Sequence, residues 1–216
     1  MSFLYIFIAF IFGYFLATRL KKAKRNAGEQ LVIENLKNNF NFESYHLINN
    51  ITIPTSDGGT TQIDHVLVSP YGIFVIETKD YSGWIFGSKT NRKWTQSFPN
   101  SKFQFQNPLH QNTKHISELC KQFDFLPRDT FKSVVVFTER SEFKSRVPDN
   151  VVQLSGLVNY IRSFQTELIS LNRVYFVVGK VEVLRYEESK ETDQLHISYL
   201  NGKFNSKGGC RANEYT

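Results

Sequence analysis

The stretch QIDHVLVSPYGIFVIETK, residues 62–79, decides how the rest of the chain is read. Its apolar residues form two runs on either side of Ser69-Pro70-Tyr71-Gly72, a turn signature. The pattern predicts two strands, 62–69 and 72–78, paired antiparallel because the connection is short. Side chains alternate across a strand. Asp64, Val66 and Val68 therefore share one face of the first strand, and Ile73, Val75, Glu77 and Lys79 one face of the second. Counting outward from the turn reaches Asp64 and Glu77 after nearly equal numbers of residues. The two carboxylates are expected at the same end of the pair, within about 5.5 Å of each other.

Carboxylates that close repel unless a cation lies between them. Oxygen ligands of this kind suit Mg²⁺ or Mn²⁺, and the Thr78 carbonyl is a candidate third ligand. An ammonium at Lys79 would orient a water and stabilise charge on an attacked phosphate. Glu-x-Lys at a strand end is also an ordinary surface ion pair, so the motif alone is weak. The symmetry of Asp64 and Glu77 about the turn is what strengthens it.

Upstream, Val32, Ile33, Leu36 and Phe40 recur at helical spacing. With Glu29 at zero and about 100° per residue, Leu36 lies at about −20°, Phe40 at about 20°, Ile33 at about 40° and Val32 at about −60°. Glu29 thus points towards the sheet, and Glu34 towards solvent. Two readings of Glu29 stay open: an acid of the site, or a first-turn glutamate favoured by the helix dipole. Tyr45 to Pro54 is extended and meets the 62–69 strand through Ser56-Asp57-Gly58-Gly59, which makes three antiparallel strands in a row.

Downstream, residues 80–98 read as a hairpin or decorated loop. Asn107-Pro108 then opens a helix running to about Gln122. Gln111 and His115 share a face of it with Pro108 and Leu119. That face could contact a phosphate or hold Lys79 in place, although His115 reads better as a polar boundary residue. His65 faces away from the acids and reads as structural. Residues 131–137 have the continuous apolar character of a strand buried on both faces, and Ser155 opens a helix through Phe164. Arg173 to Leu184 and Leu195 to Leu200 read as further strands, and residues from Asn205 as a flexible tail. The expected class is α/β (α+β), with a mixed sheet flanked by helices.

The N-terminus has a different character. Ser2 to Ala17 reads SFLYIFIAFIFGYFLA without a charge, and five basic residues follow within 19–25. A membrane span needs about 17–25 mainly apolar residues. Basic residues after the run, and none before it, are the reverse of a signal peptide. They predict one transmembrane helix in a cell inner or plasma membrane, with the rest of the chain cytoplasmic. The predicted division is a membrane anchor and basic flank over 1–25, a folded domain over 26–168, a β extension over 169–204 and a tail over 205–216.

The chain holds 26 Lys+Arg against 20 Asp+Glu, and removing the five basic residues of 19–25 leaves 21 against 20. The domain is near neutral, which argues against a broad electrostatic surface for nucleic acid. Two cysteines, Cys120 and Cys210, lie far apart and exclude a cysteine-ligated zinc site.

Gly28-Glu29 opening a helix, Gln62-Ile63-Asp64-His65, Tyr71 through Lys79, Gly83-x-Ile85-x-Gly87 and Asn107-Pro108-x-x-Gln111-Asn112-x-x-x-Ile116 occur in this order. Together they resemble the nuclease-related domain (NERD) family, which is itself similar to restriction-endonuclease-like PD-(D/E)xK nucleases. The resemblance covers about residues 28–140. It implies a restriction-endonuclease-like sheet, Mg²⁺ ligands at Asp64 and Glu77, a catalytic lysine at Lys79 and supporting roles for Glu29 and Gln111. It also implies DNA or RNA as the partner.

Three functions are expected to compete. The first is a membrane-anchored, Mg²⁺-dependent nuclease. The second is a nuclease-like module that holds nucleic acid or protein at the membrane without cutting. The third is an assembly protein that uses the aromatic segment 81–98 as its contact surface.

Overall fold

Antiparallel pairing of the three strands around the 62–79 stretch builds one half of the central sheet. A computed structural model describes residues 27–209. Helix α1 covers residues 27–39, followed by β1 (His46–Pro54), β2 (Thr60–Ser69) and β3 (Gly72–Lys79). Next come β4 (Gly83–Phe86), β5 (Lys93–Phe98), β6 (Ser101–Gln106) and α2 (Pro108–Gln122). After a short 3₁₀ turn, β7 (Phe131–Phe137), β8 (Ser141–Phe143) and β9 (Val151–Gln153) lead into α3 (Leu154–Arg162), α4 (Leu171–Leu184) and α5 (Lys190–Gly209). The main sheet has the order β1-β2-β3-β7-β9, and a second sheet the order β6-β5-β4-β8. Both are mixed: β3 pairs parallel with β7, β7 with β9, and β4 with β8, while the remaining pairs are antiparallel.

Alternation along the strands splits the core into two layers. Val66, Val68, Ile73 and Val75 pack against Ile116 and Leu119 of α2 and Val174, Val177 and Val181 of α4. On the opposite face, Leu67, Phe74 and Ile76 pack against Val32 and Leu36 of α1 and Leu157 and Ile161 of α3. A third cluster, built on Ile85, Trp94, Val135 and Phe137, joins the second sheet to the first. The expected mixed sheet flanked by helices is present. Its strands 62–69 and 72–78 and its helix from Pro108 fall where the sequence puts them.

Two expectations are corrected. Residues 173–184 are helix α4, not a strand, and the 195–200 region lies inside α5. The valine-rich run suits a strand by propensity, but Val174, Val177 and Val181 are the ones buried, at helical spacing, and Ser170 Oγ caps the helix by accepting from the Arg173 amide. Burial of one stripe overrode β propensity. The region 169–204 thus carries helices α4 and α5 where a β extension is expected, and residues 205–209 continue α5 rather than starting a tail. The stretch expected to cross a membrane lies outside the described residues. Among the described residues, no helix is long and apolar enough to span a bilayer.

Candidate functional site

β2 and β3 pair in a register that matches His65 with Ile76 and Val66 with Val75. Asp64 and Glu77 are the next residue along each strand, just beyond the last paired residues and at the end of the pair away from the turn. Both carboxylates are buried, with Glu77 only 2% exposed. The ladder between β1 and β2 passes from Asn49–His65 to Ile51–Ile63 without pairing Asn50 to Asp64, and Asn50 has φ 51. The alternation changes phase there: Ile63 and Val66, an odd number of residues apart, both face the α2 side. Asp64 sits at this irregularity, where its Oδ2 accepts the Thr78 amide N–H at 2.9 Å. Thr78 therefore holds Asp64 through its N–H.

Lys79 Nζ donates to Glu77 Oε1 at 2.6 Å and to Gln111 Oε1 at 3.2 Å. Gln111 and Lys79 lie on the same side of the sheet because Glu77 and Lys79 continue the face that Ile73 and Val75 present to α2. Burial pushes the Glu77 carboxyl up, but the Lys79 ammonium, with His115 behind it, outweighs that and holds it down at about 2. Burial likewise acts to lower Lys79, and the charges of Glu77, Asp64 and Tyr81 outweigh it and raise it. Glu77 is thus an anion and Lys79 a cation at neutral pH. A lysine held this way cannot take a proton from water; it can only donate and stabilise negative charge.

His115 joins the site, contrary to its reading as a boundary residue. Its Nδ1 is 2.7 Å from Thr61 Oγ1 and its Nε2 is 3.4 Å from Glu77 Oε2. The network is consistent when the Thr61 hydroxyl donates to Nδ1 and the ring carries its proton on Nε2. The 3.4 Å contact is longer than a good N–H···O bond of about 2.7–3.2 Å. Glu77 Oε2 and His115 Nε2 are accordingly buried without a hydrogen-bond partner. The signal that could have found His115 is its i+4 spacing from Gln111 on one helix face.

Two asparagines position α2. Asn107, fully buried, accepts the Leu109 amide through Oδ1 at 2.9 Å and donates through Nδ2 to the carbonyls of Ser88, Lys89 and Asn91 at 3.2, 3.3 and 2.6 Å. Asn112 donates to the Val75 carbonyl at 2.8 Å, Ser133 Oγ at 3.0 Å and the Val134 carbonyl at 3.2 Å, bridging β3 and β7 from above.

Glu29 is half-buried at the start of α1. The helix start is pressed onto the end of β3: a Cβ on Gly28 would come within 2.5 Å of Asp80 Cβ. Glu29 therefore approaches the same end of β3 as Lys79. His65 lies on the other face, as expected, with Nδ1 2.8 Å from Asn49 Oδ1 and Nε2 3.2 Å from Thr78 Oγ1. Burial lowers its pKa to about 4 against the opposing pull of Glu77, so the ring is neutral.

Among the described residues, no group of three or more His, Cys, Asp and Glu side chains converges as a metal cage. What the site offers is two carboxylates at the same strand end, one with a buried oxygen lacking a hydrogen-bond partner. That donor set fits a hard divalent cation that keeps several waters, as Mg²⁺ does.

A family model for the nuclease-related domain matches residues 24–138. An uncharacterized protein of Bacillus anthracis is 31% identical over 196 residues, which cover 85% of this chain and 86% of the relative. Both matches take in the strands and the family match the helix start that carry Asp64, Glu77, Lys79 and Gln111, and the chain belongs to the nuclease-related domain family.

Proposed function

We propose that this chain is a Mg²⁺- or Mn²⁺-dependent nuclease that hydrolyses phosphodiester bonds of DNA or RNA on a restriction-endonuclease-like scaffold. The observation that carries the reading is Glu77. It is a buried carboxylate at the same strand end as Asp64, with one oxygen fixed by a protonated Lys79 and the other lacking a hydrogen-bond partner. Asp64 and Glu77 would hold the cation, which when bound supplies Lewis-acid polarisation of a phosphoryl oxygen and lowers the pKa of a water.

The protein's own groups supply orientation and charge. The Thr78 amide fixes Asp64, and the Thr61–His115 pair abuts the far oxygen of Glu77. Gln111 and Glu77 aim the Lys79 ammonium, which stabilises charge developing on the attacked phosphate. In the same proposal, the apolar stretch 2–17 and its basic flank tether the domain to the cytoplasmic face of a membrane.

One feature favours a second reading, a module that holds nucleic acid without cutting it. Glu77 is nearly closed to solvent and already ion-paired. The test is cleavage of labelled single- and double-stranded oligonucleotides by the full-length chain in Mg²⁺ or Mn²⁺ against EDTA. Metal-dependent products are expected, reduced about 10²–10³-fold in Lys79→Ala. Unchanged cleavage by Lys79→Ala would remove the proposed lysine role, and binding with no product in any metal would establish the second reading.

A further inference from the structure

The second sheet presents one face to the core and one to solvent. Ile85, Trp94, Phe105 and Phe143 turn inward to Val135 and Phe137. The cross-strand register assigns the outer face. Trp84 pairs with Ser97, Ser97 with Lys102, and Phe86 with Thr95, while Lys93 lies two residues before Thr95. Trp84 and Phe86, two apart on β4, are 41% and 40% exposed. Lys144, just past β8, places its Nζ 5.7 Å from the Trp84 ring centre. Two exposed aromatic residues therefore share this face with exposed Lys93 and Lys102, and Lys144 reaches over the Trp84 ring. The only acid among the strand residues of this sheet is Glu142, 2.5 Å from Lys144.

We infer that this face is a docking platform for single-stranded nucleic acid, with bases stacked on Trp84 and Phe86 and phosphates held by Lys93, Lys102 and Lys144. The inference rests on the nuclease reading and sharpens its substrate class. Exposed rings on a sheet need the open π-face of an unpaired base, which a duplex does not offer, and lysines beside them match the backbone charge. The rest of the face, Thr95, Gln104 and Gln106, is too polar for insertion into lipid. The platform is also wired to the site. β4 begins four residues after Lys79, and α2, which carries Gln111, begins two residues after β6. The five steps from Lys79 to Trp84 span at most about 18 Å. A local cluster of this kind answers the near-neutral charge of the whole domain.

The experiment uses the full-length chain in EDTA, so that binding is read without hydrolysis. Trp84 and Trp94 are the only tryptophans, and Trp94 is fully buried, so quenching by a stacked base reports Trp84. Oligothymidylate should quench this fluorescence, and a duplex of equal length should not. Trp84→Leu should abolish the quenching and weaken binding of a labelled strand by about 5- to 150-fold. Lys93→Gln with Lys102→Gln, both exposed and safe for folding, should lower the salt slope of binding by about 1.4. Glu142→Gln should tighten binding by freeing Lys144.

Asp64→Asn should bind as the wild type does while losing cleavage. Cleavage by the wild type with none of these binding effects would leave the nuclease reading intact and sink the platform. Equal affinity for duplex, wild-type affinity in both the Trp84 and the double lysine variants, or quenching by anionic lipid vesicles but not by oligothymidylate would each overturn it.

Discussion

Replacing Lys79 by Met keeps the stem of the side chain and removes its charge. Lys79 Nζ lies 2.6 Å from Glu77 Oε1, with side chains 15% and 3% exposed. Deleting one partner of a buried pair strands the other charge and costs about 3–5 kcal/mol. The pKa of Glu77 points the same way. The Lys79 ammonium holds the folded carboxyl below its unfolded 4.5 despite burial, so the pair contributes stability at neutral pH. Its folded value is depressed, so this contribution is present above 4.5 and is lost as pH falls towards 2.

In Lys79→Met the opposing ammonium is gone and the folded value rises, so the deficit of the variant should shrink on acidification. With an m of about 2 kcal/mol/M, the urea midpoint at pH 7 should drop by about 1.5–2.5 M at unchanged m. Glu77→Gln combined with Lys79→Met removes both charges and should recover most of that loss. A midpoint within about 0.2 M of wild type, or a double variant no more stable than the single, would refute the claim that the pair is buried and mutually dependent. The outcome also governs how activity is read, because lost cleavage in a Lys79 variant reports chemistry only where the variant is shown to be folded.

Three further outcomes can be checked by denaturation. His65 is buried neutral with a pKa near 4, so below 6.5 the unfolded chain binds a proton that the folded chain refuses. Stability should fall by about 3 kcal/mol between pH 6.5 and 4, and His65→Asn should flatten that part of the pH profile. Asn107→Asp keeps the N-cap acceptor but loses the donations to Ser88, Lys89 and Asn91. It should cost about 2 kcal/mol or more, although Asp and Asn cap equally well elsewhere. Gly28→Ala places a Cβ 2.5 Å from Asp80 Cβ and should lower the urea midpoint by the equivalent of about 1–3 kcal/mol, whereas Gly179→Ala, inside α4 with open space around it, should raise it by the equivalent of about 0.5–1 kcal/mol.

Periodicity and turn chemistry made β2, β3, β7 and the start of α2 legible, because each is specified by residues next to one another: Ser69 to Gly72 for the hairpin, Asn107-Pro108 for the helix. They also brought Glu77, Lys79 and Gln111 to one face. α4 was illegible because its β-branched composition and its helical stripe of Val174, Val177 and Val181 point in opposite directions, and only packing on β1 and β2 decides between them. The phase change at Asp64 was illegible for a similar reason: it depends on Asn50 at φ 51, on another strand.

The place of His115 is not legible in the sequence because its two neighbours, Thr61 and Glu77, reach it only through tertiary structure, from positions 54 and 38 residues away. The same dependence on tertiary structure bears on the site itself. Glu77 is held from β3 by Lys79 and approached from α2 by His115 at 3.4 Å, while α2 is fixed by Asn107 to the 88–91 loop and by Asn112 to β3 and β7. The Asn-Pro-x-x-Gln-Asn motif is therefore the docking apparatus of the site as much as part of it. Its asparagines set the height of α2 above the sheet, and that height decides whether Gln111 reaches Lys79 and His115 reaches Glu77.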